Sequence, residues 1–91
     1  MTTAASIPDL NMILRLPEVR AATGLSCATI YRRVGMGLLP KPIHLGARAV
    51  GWPAKEVAAL NRARIAGKSN EEVRTLVSLL QAARHSADVD V

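Results

Sequence analysis

The sequence predicts a mostly helical winged helix-turn-helix domain with a small β-hairpin and an additional C-terminal helix. Three observations predict it. Two short helical segments are joined by Gly24, Leu25 and Ser26; an alternating apolar run that turns at Gly46 follows them; and positive charge is concentrated in the same stretch. The first is the spacing of a helix-turn-helix, and a hairpin placed after one is a wing.

Charge narrows the partner. The chain of 91 residues carries a net charge of +5, but residues 12–66 hold nine Arg and Lys against Glu18 and Glu56, a local net of +7. Each flank is at −1. A basic centre of this kind suggests a polyanionic partner, DNA or RNA. The 49% hydrophobic content suits a packed core, and the 2% aromatic content means that Leu, Ile, Val and Ala must build it.

Other classes find no footing. With Cys27 as the single cysteine, no intramolecular disulfide can form, and Cys27 with His44 and His85 makes no zinc pattern. No metal or cofactor is expected. No apolar run approaches the ~20 residues that span a bilayer, and the opening residues lack the basic and apolar regions of a signal peptide. A cytoplasmic, nucleoid-associated protein without a membrane partner is expected. There is no glycine-rich phosphate loop and no arguable Ser–His–Asp set. Glu18, Glu56, Glu71 and Glu72 read as caps and helix-surface charges, so an enzyme is not expected.

The elements follow in order. Residues 1–11 read as a mobile tail. The first helix begins near Leu14, with Pro17 in its first turn, Glu18 at its positive end and Gly24 as its stop. Its inward residues should be Leu16, Val19 and Ala21 or Ala22. Ser26 is a natural N-cap for the second helix, and Thr29 stands where Glu or Gln would complete a capping box. That helix should run to Val34 or Met36, where Gly35 and Gly37 stop it and Pro40 and Pro42 prevent its return.

Cys27, Ile30, Tyr31 and Val34 fall at helical spacing on one apolar face, with Cys27 near the surface at the helix start and Tyr31 in the core. Ala28, Thr29, Arg32, Arg33 and Met36 fall on the other side. Small residues beside arginines are what a helix needs to enter a major groove. The hairpin takes Ile43 and Leu45 on one arm and Val50 and Trp52 on the other, turning over Gly46 to Arg48. Lys41, His44 and Arg48 are its outward or tip residues, and Trp52 its core anchor.

Pro53 opens a third helix with Val57, Leu60 and Ala63 or Arg64 on one face, closed by Gly67. Ser69 and Glu72 form a complete capping box for the last helix. Its stripe is Val73, Leu76, Val77, Leu80 and Ala83 or Arg84, widened by Leu79. The stripe can fold back on the third helix, or Val73, Leu76, Val77 and Leu80 can pair with a second copy. The closing residues, Ala87 to Val91, should fray. The chain thus divides into a tail at 1–11, a winged helix-turn-helix at 12–66, and a C-terminal helix at 67–91.

From Ile13 to Ile65 the chain resembles the AlpA-like regulators of phages, prophages and mobile elements. The resemblance rests on "LPEV", "TGLS", "TIYR", the Pro40–Lys41–Pro42 segment, "LG" and "VGW", in that order and spacing. It implies a MerR-type winged helix-turn-helix related to excisionases, with sequence-specific DNA binding. It implies Ser26 as the cap, Cys27 to Arg33 as the recognition helix with the Tyr31–Arg32 pair, and Lys41 to Trp52 as the wing. Cys27 stands where the family often has Arg or another polar residue, and Arg33 partly compensates. Leu39 and Leu60 replace frequent aromatics.

The leading expectation is a transcriptional regulator of a prophage or other mobile element that acts as a dimer or cooperative multimer on DNA. The nearest alternative is an excisionase that bends DNA for an integrase. A more distant one is a protein-interaction module that has lost DNA binding. RNA polymerase or an integrase would be the protein partner.

Overall fold

The computed structural model describes residues 11–89, with side chains described through His85. Its elements run β1 (Ile13–Leu14), α1 (Leu16–Thr23), α2 (Cys27–Gly35), β2 (Ile43–His44), β3 (Val50–Pro53), α3 (Ala54–Ile65) and α4 (Asn70–Val89). The strands form one antiparallel sheet in the order β1-β3-β2. The helix-turn-helix, the hairpin and the appended helix are all present, so the predicted fold class holds. The expected tail at residues 1–10 lies outside the described residues.

The sheet is wider than the predicted hairpin. Ile13 pairs with Pro53 and Leu14 with Trp52, which makes β3 the central strand. A two-residue strand carries no periodicity for a sequence reading to find. Gly51 permits this pairing. A Cβ there would lie 2.5 Å from Ile13 Cγ2 and 3.0 Å from the Leu14 carbonyl oxygen, so only glycine lets β1 approach.

Trp52 anchors the core, as expected of it. Its indole is buried and donates from Nε1 to the Pro40 carbonyl at 2.9 Å. Around it pack Leu14, Val19, Ile30, Leu38, Leu39, Val57 and Leu60. Leu39 and Leu60, which stand where aromatics are frequent in the resembling family, are both fully buried. Val73 and Val77 of α4 belong to the same core, so the stripe folds back and closes the domain.

Several residue-level expectations are corrected. Ala21 and Ala22 are exposed: α1 buries Val19 and part of Leu16, a narrower stripe than its composition suggests. Leu45 is half-exposed, because the hairpin arm has left the core by that point and the side chain lies across Gly51. Leu79 is exposed on the far side of α4 and does not widen the stripe. Helix α4 runs to Val89 instead of fraying at Ala87. Asp90 and Val91 lie outside the described residues.

The largest correction is Glu56, read as a surface charge and found 1% exposed in α3. Arg84 of α4 reaches it with two bonds, Nε to Oε2 at 2.8 Å and an NH2 nitrogen to Oε1 at 2.6 Å. Burying a carboxylate is costly unless it is paired and hydrogen-bonded, and the bidentate guanidinium supplies both. The partner lies 28 residues away, beyond the reach of any local pattern.

Candidate nucleic-acid interface

The corner between α1 and α2 is built by local chemistry. Gly24 ends α1 at φ 74°, and its N–H donates to the Arg20 carbonyl at 2.8 Å. That left-handed conformation suits glycine. The Thr23 hydroxyl donates to the Val19 carbonyl and accepts from the Leu25 N–H. Asn61 of α3 donates to the Ala22 carbonyl. Ser26 then caps α2: its Oγ accepts from the Thr29 N–H at 3.2 Å and donates to Thr29 Oγ1 at 2.9 Å. The Thr29 hydroxyl thus meets the capping hydroxyl, while the reciprocal half of a capping box is not formed.

Helix α2 buries one residue fully, Ile30, and half-buries Val34. Cys27 is exposed, as expected at the helix start, although its spacing put it on the apolar face. Tyr31 is 44% exposed and so is not a core residue. Its ring meets Trp52 at 6.0 Å between centroids and a 59° tilt, tying the outer side of α2 to the central strand. Ala28 and Arg32 are exposed; Arg33 is half-buried. The end of α2 closes on Gly37 at φ 77°, with the Leu38 N–H donating to the Arg33 carbonyl at 2.8 Å.

The hairpin tip closes when the Leu45 N–H donates to the Ala49 carbonyl at 2.7 Å, leaving Gly46 to Arg48 exposed. Lys41, His44 and Arg48 are all exposed. Arg15, just before α1, donates from Nε to the Val50 carbonyl at 3.0 Å and so ties the base of α1 to β3.

The electrostatics are one-sided. Among the described residues the ion pairs are Arg74–Glu71 and Arg84–Glu56, and neither involves α2 or the hairpin. The charges of exposed Arg32, Lys41 and Arg48 and of half-buried Arg33 are therefore uncompensated by a salt bridge among the described residues. Sequence reasoning passed over Arg20. It lines a shallow hollow with Pro17, Leu25 and Ser26, where α1 meets the start of α2. Its place three residues before the Thr23–Gly24 stop was the available signal.

Of the four residues read as an oligomerisation stripe, Val73 and Val77 are buried in the chain's own core, and Leu76 and Leu80 are packed partly against it. Exposed apolar surface lies elsewhere, at Ile65 and Leu79. No helix among the described residues is long and apolar enough to cross a membrane.

Comparison with known proteins identifies the family. The model of one family, described as the prophage CP4-57 regulatory protein (AlpA), matches residues 12–65. The chain is 39% identical over 70 residues to the uncharacterized protein ORF88 of Enterobacteria phage P4, covering 75% of this chain and 80% of that one. No solved structure matches. The matched segment runs from β1 to the end of α3, taking in the corner, the exposed arginines and the hairpin, and on these grounds the chain belongs to the AlpA family of prophage regulatory proteins.

Proposed function

We propose that this regulator binds double-stranded DNA sequence-specifically, with α2 in the major groove and the hairpin as a wing on the backbone or minor groove, and so controls transcription from a mobile element. The observation that carries the reading is the outer face of α2. Arg32 and Arg33 stand beside exposed Ala28 and Cys27, on a helix whose start is fixed by the Ser26 cap and whose charges no salt bridge offsets. Small residues allow close approach, and an arginine reads guanine O6 and N7 bidentately, worth ~1–3 kcal/mol of discrimination.

Each remaining residue has a role in this geometry. Arg20 and the Ser26 corner lie where the first helix of such a motif crosses the backbone. Thr29 supports the cap, and Tyr31 orients α2 against Trp52. Lys41, His44 and Arg48 bring the wing to phosphate or to the minor groove. Phosphate contacts set affinity and its salt dependence, while base contacts set sequence. One domain makes few contacts, so copies bind in pairs or tandem, with RNA polymerase as the downstream partner.

The test is selection of bound sequences from a random DNA pool, followed by gel shifts at two salt concentrations with wild type and Arg32→Ala. An enriched motif weakened by Arg32→Ala is the expected result, and repeats within it would give the arrangement of copies. Salt-sensitive binding with no motif would favour an architectural, excisionase-like role beside an integrase. Absence of binding would move the function to a protein partner.

A further inference from the structure

Helix α4 holds both elements assigned to DNA. At one end, Arg74 donates from Nε to the carbonyl of Met36, the residue that caps the C-terminus of α2, at 2.9 Å. Its aliphatic chain passes 3.7 Å from where a side chain on Gly37 would begin. At the other end α4 grips the backbone of Lys41, where the wing starts. Gln81 Oε1 accepts from the Lys41 N–H at 2.8 Å, and Arg84 donates to the Lys41 carbonyl at 2.8 Å. The same Arg84 is locked by the buried Glu56. Arg74 and Gln81 are seven residues apart, two turns on one face, about 10.5 Å along a rigid axis.

We infer that α4 is a brace that sets the spacing between the recognition helix and the wing, with Arg74, Gln81 and Arg84 as positioning residues for DNA binding. This rests on the DNA-binding reading above. Strand β2 is only two residues long; its pairing with β3 and the bond from the Trp52 indole to the Pro40 carbonyl are the wing's other supports. The two bonds to Lys41 fix the residue that lies between those supports. Glu56 gives Arg84 a fixed origin. A wing ordered before binding loses less entropy on contact, and the gain appears as affinity.

The test must separate bracing from folding. Arg84→Met alone strands the Glu56 carboxylate, so the informative variant is Glu56→Leu/Gln81→Leu/Arg84→Met. It replaces the buried ion pair with apolar groups, which cores tolerate, and releases Lys41. Its fold is checked by circular dichroism and thermal melting, and its affinity is measured on the selected DNA site. About a tenfold loss is expected, the scale of one contact, with a smaller salt slope. In a Lys41→Ala/His44→Ala/Arg48→Ala background the same substitutions should cost under about twofold, because the wing contacts are already gone. An unchanged affinity, or an equal loss in both backgrounds, overturns the brace. If the triple variant does not fold, Gln81→Leu alone decides, with about a threefold loss expected for one hydrogen bond and no loss overturning the inference. At the other end, Arg74→Met should behave likewise against Arg32→Ala, and equal losses in both backgrounds overturn that anchor. A wild type that binds no DNA overturns both readings, whereas binding weakened by Arg48→Ala but not by the brace variants overturns this one alone.

Discussion

Arg32 and Arg33 are neighbours on α2, about 100° apart around its axis. Both line a hollow with Met36, Leu38 and Asn70, but Arg32 is exposed while Arg33 is half-buried. An unobstructed guanidinium suits a base edge, and one held near the helix end suits a phosphate. Arg32→Ala should therefore cost ~1–3 kcal/mol of site-specific affinity and relax preference at one base pair. Arg33→Ala should weaken binding to all sequences and lower the salt slope by about 1. Quantitative gel shifts on the selected site and on scrambled DNA distinguish the two. Gly51 is a second residue whose role is set by its neighbours. A methyl group there would sit 2.5 Å from Ile13 Cγ2 and 3.0 Å from the Leu14 carbonyl oxygen, so Gly51→Ala must displace the Ile13 side chain and strain the β1–β3 pairing. A loss of about 1–3 kcal/mol, typical of overpacking, is expected in denaturant unfolding.

Among the helices, α4 has the most explicit start signal. The Ser69 N–H donates to Glu72 Oε1 at 2.9 Å, and Ser69 Oγ accepts from the Glu72 N–H at 3.2 Å. The backbone bond from Ser69 holds the Glu72 carboxyl below its ordinary pKa, helped by the Ser69 side chain and the Lys68 charge. A carboxylate with a lowered folded-state pKa contributes stability that is present above the unfolded value. That stability is lost as pH falls through the folded value. Glu72→Gln keeps the cap's hydrogen-bonding shape but not its charge. Its melting temperature should fall below that of wild type at neutral pH and converge with it as pH falls through the lowered folded-state pKa of Glu72. The start of α2 is similarly legible in Ser26. Helix α1 shows the limit of local signals, because Asn61, 39 residues away, satisfies the Ala22 carbonyl near its end.

For the whole molecule the division at residue 66 matters most. Residues 12–65 carry the family match, yet Val73 and Val77 close the core and Arg84 neutralises Glu56. A chain ended after Lys68 exposes apolar surface worth about 1.5–3 kcal/mol for each buried valine. It also loses Arg84, the partner of the Glu56 carboxylate. Against a domain stability of about 5–15 kcal/mol these are large losses. The truncated chain should show little helical circular dichroism and no cooperative melt.

The sequence by itself determined the helix-turn-helix corner, the hairpin, the Ser26 cap, the Ser69–Glu72 capping box, the position of Trp52 in the core and the exposure of Arg32 on α2. Each of these is written in residues within a few positions of one another: a glycine that accepts a left-handed turn, a serine that caps, a glutamate three residues on. Only the tertiary structure decided the third strand, the exposure of Tyr31, the inward turn of Glu56 and the grip of α4 on Lys41 and Met36. Those depend on partners 21 to 43 residues away, or on a two-residue strand. Local patterns report what a segment prefers, and long-range contacts settle which side chains lose their water. That is why the sequence marked Arg84 only as one edge of a helical stripe, while the fold made it the residue that joins α3, α4 and the base of the wing.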